Sequence, residues 1–320
     1  MPRVLAAWWP ALAAIVVLGG AGTRLDNYQL YVVSLVAVYV IFATGYNLLM
    51  GYAGQFDVGQ AASLAIGAYT MALTQARLGV PFPVALGLAG GMSVLLGLVI
   101  GVIVLRLRHF YLALVTLAFS QTVVLVLILW RDLTNGFQGL SVPRPHLPGI
   151  DDNLLIYLVI VTVAALMVQA AWNLVDSRIG RAFMAIRDSE IAASVMGVPL
   201  VRFRLMAYAV SAFYGGVAGG LLATLLSYIT PDGFRFFETV KVLTMIVIGG
   251  LGSMLGSIIG PVVIIVGAEV LRISQSYQEI SNGALLLGFI ILAPAGIAGL
   301  LFAGLGFRDW PARLLGWRRR

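Results

Sequence analysis

The sequence predicts an all-α polytopic membrane protein of about ten transmembrane or half-membrane helices, and three observations predict it. Of 320 residues, 61% are hydrophobic and 10% are charged, against about half and about a quarter in soluble domains. The apolar runs are continuous, as in helices, whereas the strands of a membrane barrel alternate with period two. The runs also recur at lengths near the ~20 residues that carry a helix across a ~30 Å hydrocarbon core. The absence of cysteine excludes disulfides and thiolate metal sites, and His109 and His146 lie in separate loops, so no metal site is expected. The net charge of +7 comes from arginines spread through loops. It argues for a lipid bilayer as the partner and against nucleic acid.

In chain order the candidate segments are residues 4–20, 29–50, 59–77, 82–105, 110–130, 153–173, 203–229, 238–250, 254–271 and 283–303. The first follows Met1-Pro2-Arg3 in the manner of a secretory leader, but Trp8, Trp9 and Pro10 interrupt its apolar core, so it reads as a retained helix. Segment 59–77 is rich in small and polar residues, and 238–250 is long enough for only half a bilayer. Ten crossings, or eight with two broken or re-entrant segments, both fit this pattern. If all ten cross, the termini share a side. Placing Arg318, Arg319 and Arg320 in the cytoplasm then puts 13 basic residues inside and 7 outside, in the sense of the positive-inside rule. The longest external loop, 131–152, holds Asn135-Gly136, Pro143, Pro145 and Pro148, so irregular backbone is expected there. Residues 29–130 and 203–303 would run in opposite senses, which leaves an inverted repeat open, although no residue-level match links them.

The stretch from Asn47 to Tyr69 reads NLLMGYAGQFDVGQAASLAIGAY. Gly51, Gly54, Gly59 and Gly67 permit a helix break or close backbone approach, while Asn47, Gln55, Asp57 and Gln60 set amides and a carboxylate among apolar neighbours. Two readings stand: a discontinuous helix bordering a substrate pathway, or a turn at the cytoplasmic surface. Gln121, with Thr116, Ser120 and Thr122, is a further pathway candidate, with helix packing as its alternative. Gly252, Gly256 and Gly260 recur at four-residue spacing, as do Gly215 and Gly219, and that spacing makes a smooth face for close helix packing. Glu238 with Lys241, and Glu269 with Arg272, have i, i+3 spacing and read as pairs at helix mouths.

The strongest departure from apolar composition is Asn173 to Arg204. It holds Arg178, Arg181, Arg187, Arg202 and Arg204 against Asp176, Asp188 and Glu190. Asp188-Ser189-Glu190 offers an N-cap and an acidic first turn, Gly197 is a natural stop and Pro199 forbids continuation, so a short capped helix is expected at about 189–196. Such a helix, on the cytoplasmic side, is what a membrane protein would present to a soluble partner. Arg178, Arg181 and Arg187 are candidates to meet acidic groups there, and Ile191, Val195 and Met196 to fill an apolar groove. An arginine-rich loop that only anchors topology is the plainer alternative.

Lys241 is the single lysine, flanked by Val240 and Val242, so no GxxxxGK[ST] phosphate loop exists. Any ATP-driven motor must be another polypeptide. Five stretches, in order, resemble LivM-type permease subunits of branched-chain amino acid ABC importers over nearly the whole chain. They are Asn47 to Tyr69, FYLALVTLAFSQTV from Phe110, LTNGFQGLSVP from Leu133, SRIGRAFMAIRDSEIAASVMGV from Ser177 and TMIVIGGLGSMLGSIIGPVV from Thr244. Glu190, Ala192, Ala193 and Gly197 are similar to the acid, alanine pair and glycine of the ABC-permease coupling signature, with one extra residue after the acid. Asp57 stands where relatives often have serine, and Gln60 where many have histidine.

The resemblance implies one permease domain over 1–320, with an ATPase-coupling loop at 174–204 that uses Arg178, Arg181, Arg187, Asp188, Ser189, Glu190, Ala192, Ala193 and Gly197. It implies a multi-pass subunit of a bacterial inner membrane, and the count of basic residues places both termini in the cytoplasm. Its implied partners are a homologous second permease, two cytoplasmic ATPase subunits and an extracytoplasmic substrate-binding protein. ATP and magnesium would sit on the ATPases, and no cofactor on this chain. The implied cargo is a branched-chain or other hydrophobic amino acid, with urea or short amides as the alternative. A self-contained secondary transporter fits less well, because segments 82–105, 110–130, 153–173 and 203–229 carry no ionisable group between their ends. An intramembrane enzyme would need an acid/base or metal constellation that the spans lack.

Overall fold

A computed structural model describes residues 15, 18–20, 22, 24–105, 110–149 and 151–271. Segment 283–303, most of 4–20, Arg106, Arg108, His109, Arg272 and the C-terminal arginines lie outside the described residues. Helix α1 (Asn27–Asn47) ends in a π-helical turn (Leu48–Tyr52) and irregular residues 53–60, followed by α2 (Ala61–Leu78), α3 (Phe82–Val104) and α4 (Phe110–Leu129). Short α5 (Arg131–Thr134), a 3-10 turn (Gly136–Gln138) and β1 (Leu140–Ser141) lead to α6 (Asp152–Asp176). Two short helices, α7 (Arg178–Asp188) and α8 (Glu190–Val195), precede α9 (Leu200–Leu226). The chain continues through β2 (Tyr228–Ile229), a second 3-10 turn (Pro231–Phe234), α10 (Phe236–Gly249) and α11 (Met254–Leu271).

Five stretches are long and apolar enough to cross a membrane: Asn27–Tyr52, Phe82–Val104, Tyr111–Leu129, Asp152–Asp176 and Leu200–Leu226. The α10–α11 pair passes the same test jointly but is bent by 120°. Helix α2 is less apolar, and the reason lies in its packing. A Cβ on Gly219 would lie 2.0 Å from the Leu64 carbonyl oxygen, and one on Gly67 would lie 2.1 Å from that of Gly216. Backbone meets backbone where α9 crosses α2, so small residues replace large apolar ones. On its other flank α9 presses on α3, where a Cβ on Gly216 would meet Ser93 Oγ at 2.4 Å.

The expected glycine face on 252, 256 and 260 is corrected in one respect. Gly252 lies in the break before α11 with φ of +74°, so it shapes a turn and is not part of the helical face. Gly256 and Gly260 do stand on α11, where added Cβ atoms would collide with Gly249 and Met245 of α10.

The spans alternate between two ends of the bundle. Asn153 at the start of α6 bonds Asn27 at the start of α1 (3.3 Å), and β1 pairs antiparallel with β2 at that same end. Helices α7 and α8 lie at the opposite end, where Arg187 reaches Gly51 beyond α1. From β2 the chain descends into the bundle before α10 begins. Phe234 packs edge-on to Tyr69, midway along α2, with ring centroids 6.2 Å apart, and Glu238 meets Tyr39, midway along Asn27–Tyr52. Helix α10 then completes the crossing and α11 returns, placing Glu269 on the Tyr28 hydroxyl near the start of α1. Residues 228–249 therefore cross as an irregular half and a helical half, as the shortness of 238–250 suggested. In the irregular half Pro231 and Phe234 are buried against protein, while Asp232 and Arg235 are exposed and pair with each other.

Candidate functional site

The polar stretch between α6 and α9 folds as two helices where one was expected. Ser177 caps the first, its Oγ accepting the Ile179 N–H at 3.1 Å. Ile179, Ala182, Phe183 and Ile186 recur at helical spacing, the last three are buried, and Phe183 stands edge-on to Phe203 at 6.4 Å. Helix α7 is thus an amphipathic strut seated under the bundle. Its apolar face was readable from that spacing, and the surrounding arginines obscured it.

Helix α8 is fastened at both ends. Ser189 Oγ accepts the Ala192 N–H (3.3 Å), and the Glu190 carboxylate pairs with Arg204 at the start of α9. At its C-terminus the Val198 N–H reaches the Ala193 carbonyl and the Gly197 N–H reaches that of Ser194, both at 3.0 Å. This is a Schellman stop, which Gly197 accommodates at φ +82°. Ala193 is buried, while Ile191, Val195 and Met196 are 80%, 81% and 82% exposed. Covering each of these three would gain about 1.5–3 kcal/mol. A rigid apolar face left open in this way suits docking.

The arginines divide. Arg178 is exposed and its side chain makes no hydrogen bond among the described residues. Arg181 instead donates to the Asp176 carbonyl (3.0 Å), closing the end of α6. Arg187 was expected to face a partner, but its Nη1 donates to the Gly51 carbonyl (2.8 Å) while Nε meets Asp188 (3.2 Å). The carbonyls at a helix end lack intrahelical donors and attract a cation. A Cβ on Gly54 would lie 2.8 Å from Arg187 Cγ, and one on Gly252 would lie 3.0 Å from its Nη1. The guanidinium therefore touches both the end of α1 and the break before α11.

The polar residues of the Asn47–Tyr69 stretch are buried inside the chain. Asn47 Oδ1 accepts the Gly252 N–H (2.9 Å), and Nδ2 donates to the Ser253 carbonyl (2.9 Å) and to Ser257 Oγ (2.8 Å). Gln60 Nε2 donates to Ser211 Oγ on α9 (2.9 Å). The Asp57 carboxylate accepts the Gly59 N–H (2.8 Å), and its carbonyl accepts from Tyr46. Gln55 bonds the Ala53 carbonyl within its own loop (3.3 Å). Gln121 stands apart from them on an exposed face of α4. Asn47 therefore pins the break between α10 and α11, a role that sequence spacing did not suggest.

One further cluster was not placed correctly by the sequence. The Tyr39 hydroxyl donates to Glu238 Oε2 (2.9 Å) and accepts from Lys241 Nζ (2.7 Å), which also stands 4.2 Å from the ring centroid. Glu238 and Lys241 approach to 3.6 Å. They are a pair in the first turns of α10, as expected, but those turns lie halfway through the bundle and not at a membrane surface.

Residues 28–302 match the family described as branched-chain amino acid transport system / permease component. The high-affinity branched-chain amino acid transport system permease protein LivM of Salmonella typhimurium is 32% identical, over 83% of this chain and 69% of that protein. The corresponding LivH permease of Escherichia coli is 23% identical over 83% of this chain and 93% of its own. The ribose import permease protein RbsC of Haemophilus influenzae is 26% identical over 78% and 80%. No solved structure matches the chain.

Proposed function

This chain belongs to the permease components of branched-chain amino acid transport systems, and we propose that it is one of two homologous membrane subunits of an ABC importer that brings branched-chain amino acids into the cytoplasm. In this reading the end bearing α7 and α8 is cytoplasmic, both termini lie on that side, and the membrane is a bacterial inner membrane. Two ATPase subunits hold ATP and magnesium, and a binding protein delivers substrate at the opposite end. Helix α8 is the coupling helix.

The observation that carries the coupling assignment is the open face of Ile191, Val195 and Met196 on a helix capped at both ends and tied to α9 by Glu190. A groove on an ATPase supplies the missing cover, with Arg178 free to meet acidic groups at its rim. When ATP closes the motor, a displacement of α8 has two stiff routes into the membrane. Glu190 pulls on Arg204 and hence on α9, while Arg187, at the end of α7, bears on Gly51 and on the break at Gly252. A capped helix transmits such a displacement where a flexible loop would absorb it.

The test is purification from membranes followed by reconstitution. The expected result is recovery with a second permease and two ATPases, and leucine uptake that needs both ATP and the binding protein. Uptake by this chain alone would overturn the assignment.

A further inference from the structure

The geometry points to Glu238 and Lys241, set on Tyr39, as a station on the translocation route that reads the zwitterion of the passing amino acid. Lys241 receives the α-carboxylate and Glu238 the α-ammonium. This inference rests on the amino-acid reading above.

The depth of the pair is the first argument. Among the described residues α1, α3 and α4 carry no charged side chain, the charges of α2, α6, α9 and α11 stand within five residues of their ends, and the exposed Asp232–Arg235 pair lies in the irregular segment before α10. Ionisable groups halfway across a membrane are costly and mark pathways by default. A purely structural tie between α10 and α1 would be at least as stable if built from apolar residues.

Incomplete bonding is the second. Lys241 has three N–H donors, of which one is engaged by Tyr39, and its 3.6 Å approach to Glu238 is beyond hydrogen-bond range. Glu238 Oε1 has no hydrogen bond among the described residues. Tyr39 is 4% exposed, whereas the Lys241 and Glu238 side chains are 26% and 23% exposed. The anchor is closed and the two charged side chains are each about a quarter exposed.

The chemistry of the cargo is the third. A free α-amino acid carries an ammonium and a carboxylate on one carbon, so it can bridge a loosely held cation and anion and replace each one's partner with its own. The pair is neutral overall and recloses afterwards. Such a station binds weakly enough to release, as conduction requires. Tyr39 positions both groups without meeting the cargo.

The test uses the complete transporter in proteoliposomes with its binding protein, measuring leucine uptake and ATP hydrolysis in parallel. Two double variants are compared with wild type: Glu238→Leu with Lys241→Leu, and Glu238→Gln with Lys241→Gln. Both are expected to co-purify with their partners and to hydrolyse ATP within about twofold of wild type while uptake falls about tenfold or more, the scale of losing contacts to charged groups. Wild-type uptake by either variant would overturn the proposal, because a mere staple tolerates apolar replacement. A parallel fall of assembly, hydrolysis and uptake in both variants would overturn it too. If the wild-type complex moves no amino acid, the underlying reading fails. If wild type moves leucine and the variants do likewise, this proposal alone fails.

Discussion

Helix α8 leaves apolar side chains exposed, whereas the joint around Asn47 buries a polar one. In α8 the polar groups are engaged by the chain itself, Glu190 on Arg204 and Ser189 on the backbone, and Ile191, Val195 and Met196 are left exposed. At the joint Asn47 is fully buried, and three hydrogen bonds fasten it to the break between α10 and α11. The exposed apolar face is what the proposed coupling role needs, and the buried amide marks a joint. Hydropathy alone assigns the two the other way round.

The widest test of that contrast is Asn47→Leu. It leaves the Gly252 N–H without its acceptor, at about 1–3 kcal/mol, and removes the further bonds to the Ser253 carbonyl and Ser257 Oγ. The detergent-solubilised protein is expected to lose several degrees of melting temperature and much of its yield, whereas Val195→Asp should leave both unchanged. Equal thermal behaviour of the two variants would break the comparison.

Next in size is the effect of Ile191→Asp with Val195→Asp on assembly. Both sites are about four-fifths exposed, so stability should move by less than about 0.5 kcal/mol. A carboxylate in an apolar groove should reduce ATPase recovery about tenfold or more. Undiminished co-purification would remove α8 from the interface.

Arg187 joins the two regions, so its loss should separate them. Arg187→Gln removes a charge-assisted bond to Gly51, worth about 1 kcal/mol after discounting for its 40% exposed side chain. Folding and ATPase binding are expected to persist, while leucine carried per ATP falls severalfold. An unchanged ratio would mean that Glu190 and Arg204 carry the displacement without it.

The sequence revealed these regions unequally, for physical reasons. The long spans were legible because apolar run length measures bilayer thickness, and α8 because its signals, Ser189, Gly197 and Pro199, are local. Helix α7 was missed, although Ile179, Ala182, Phe183 and Ile186 form a helical face, because its arginines dominate the composition. The work of Asn47 was not legible at all, since Gly252 lies 205 positions away. Nor was the depth of Glu238 and Lys241. It depends on how far the irregular segment after β2 descends, and no periodicity records that.

The smallest expected effect tests how rigid the outward face must be. Gly197 adopts φ +82° with open space around it, so Gly197→Ala meets no neighbour and pays only for a left-handed backbone, about 1 kcal/mol. That is too little to unfold the protein but enough to fray a six-residue helix whose last turn carries Val195 and Met196. Gly197→Asn places its Cβ in the same open space and tolerates that conformation better. Uptake should therefore fall a fewfold in the alanine variant and recover in the asparagine variant, with ATPase recovery tracking both. If alanine and asparagine behave alike, the stop at Gly197 does not set the stiffness of α8, and the docking face is shaped by its partner and not preformed.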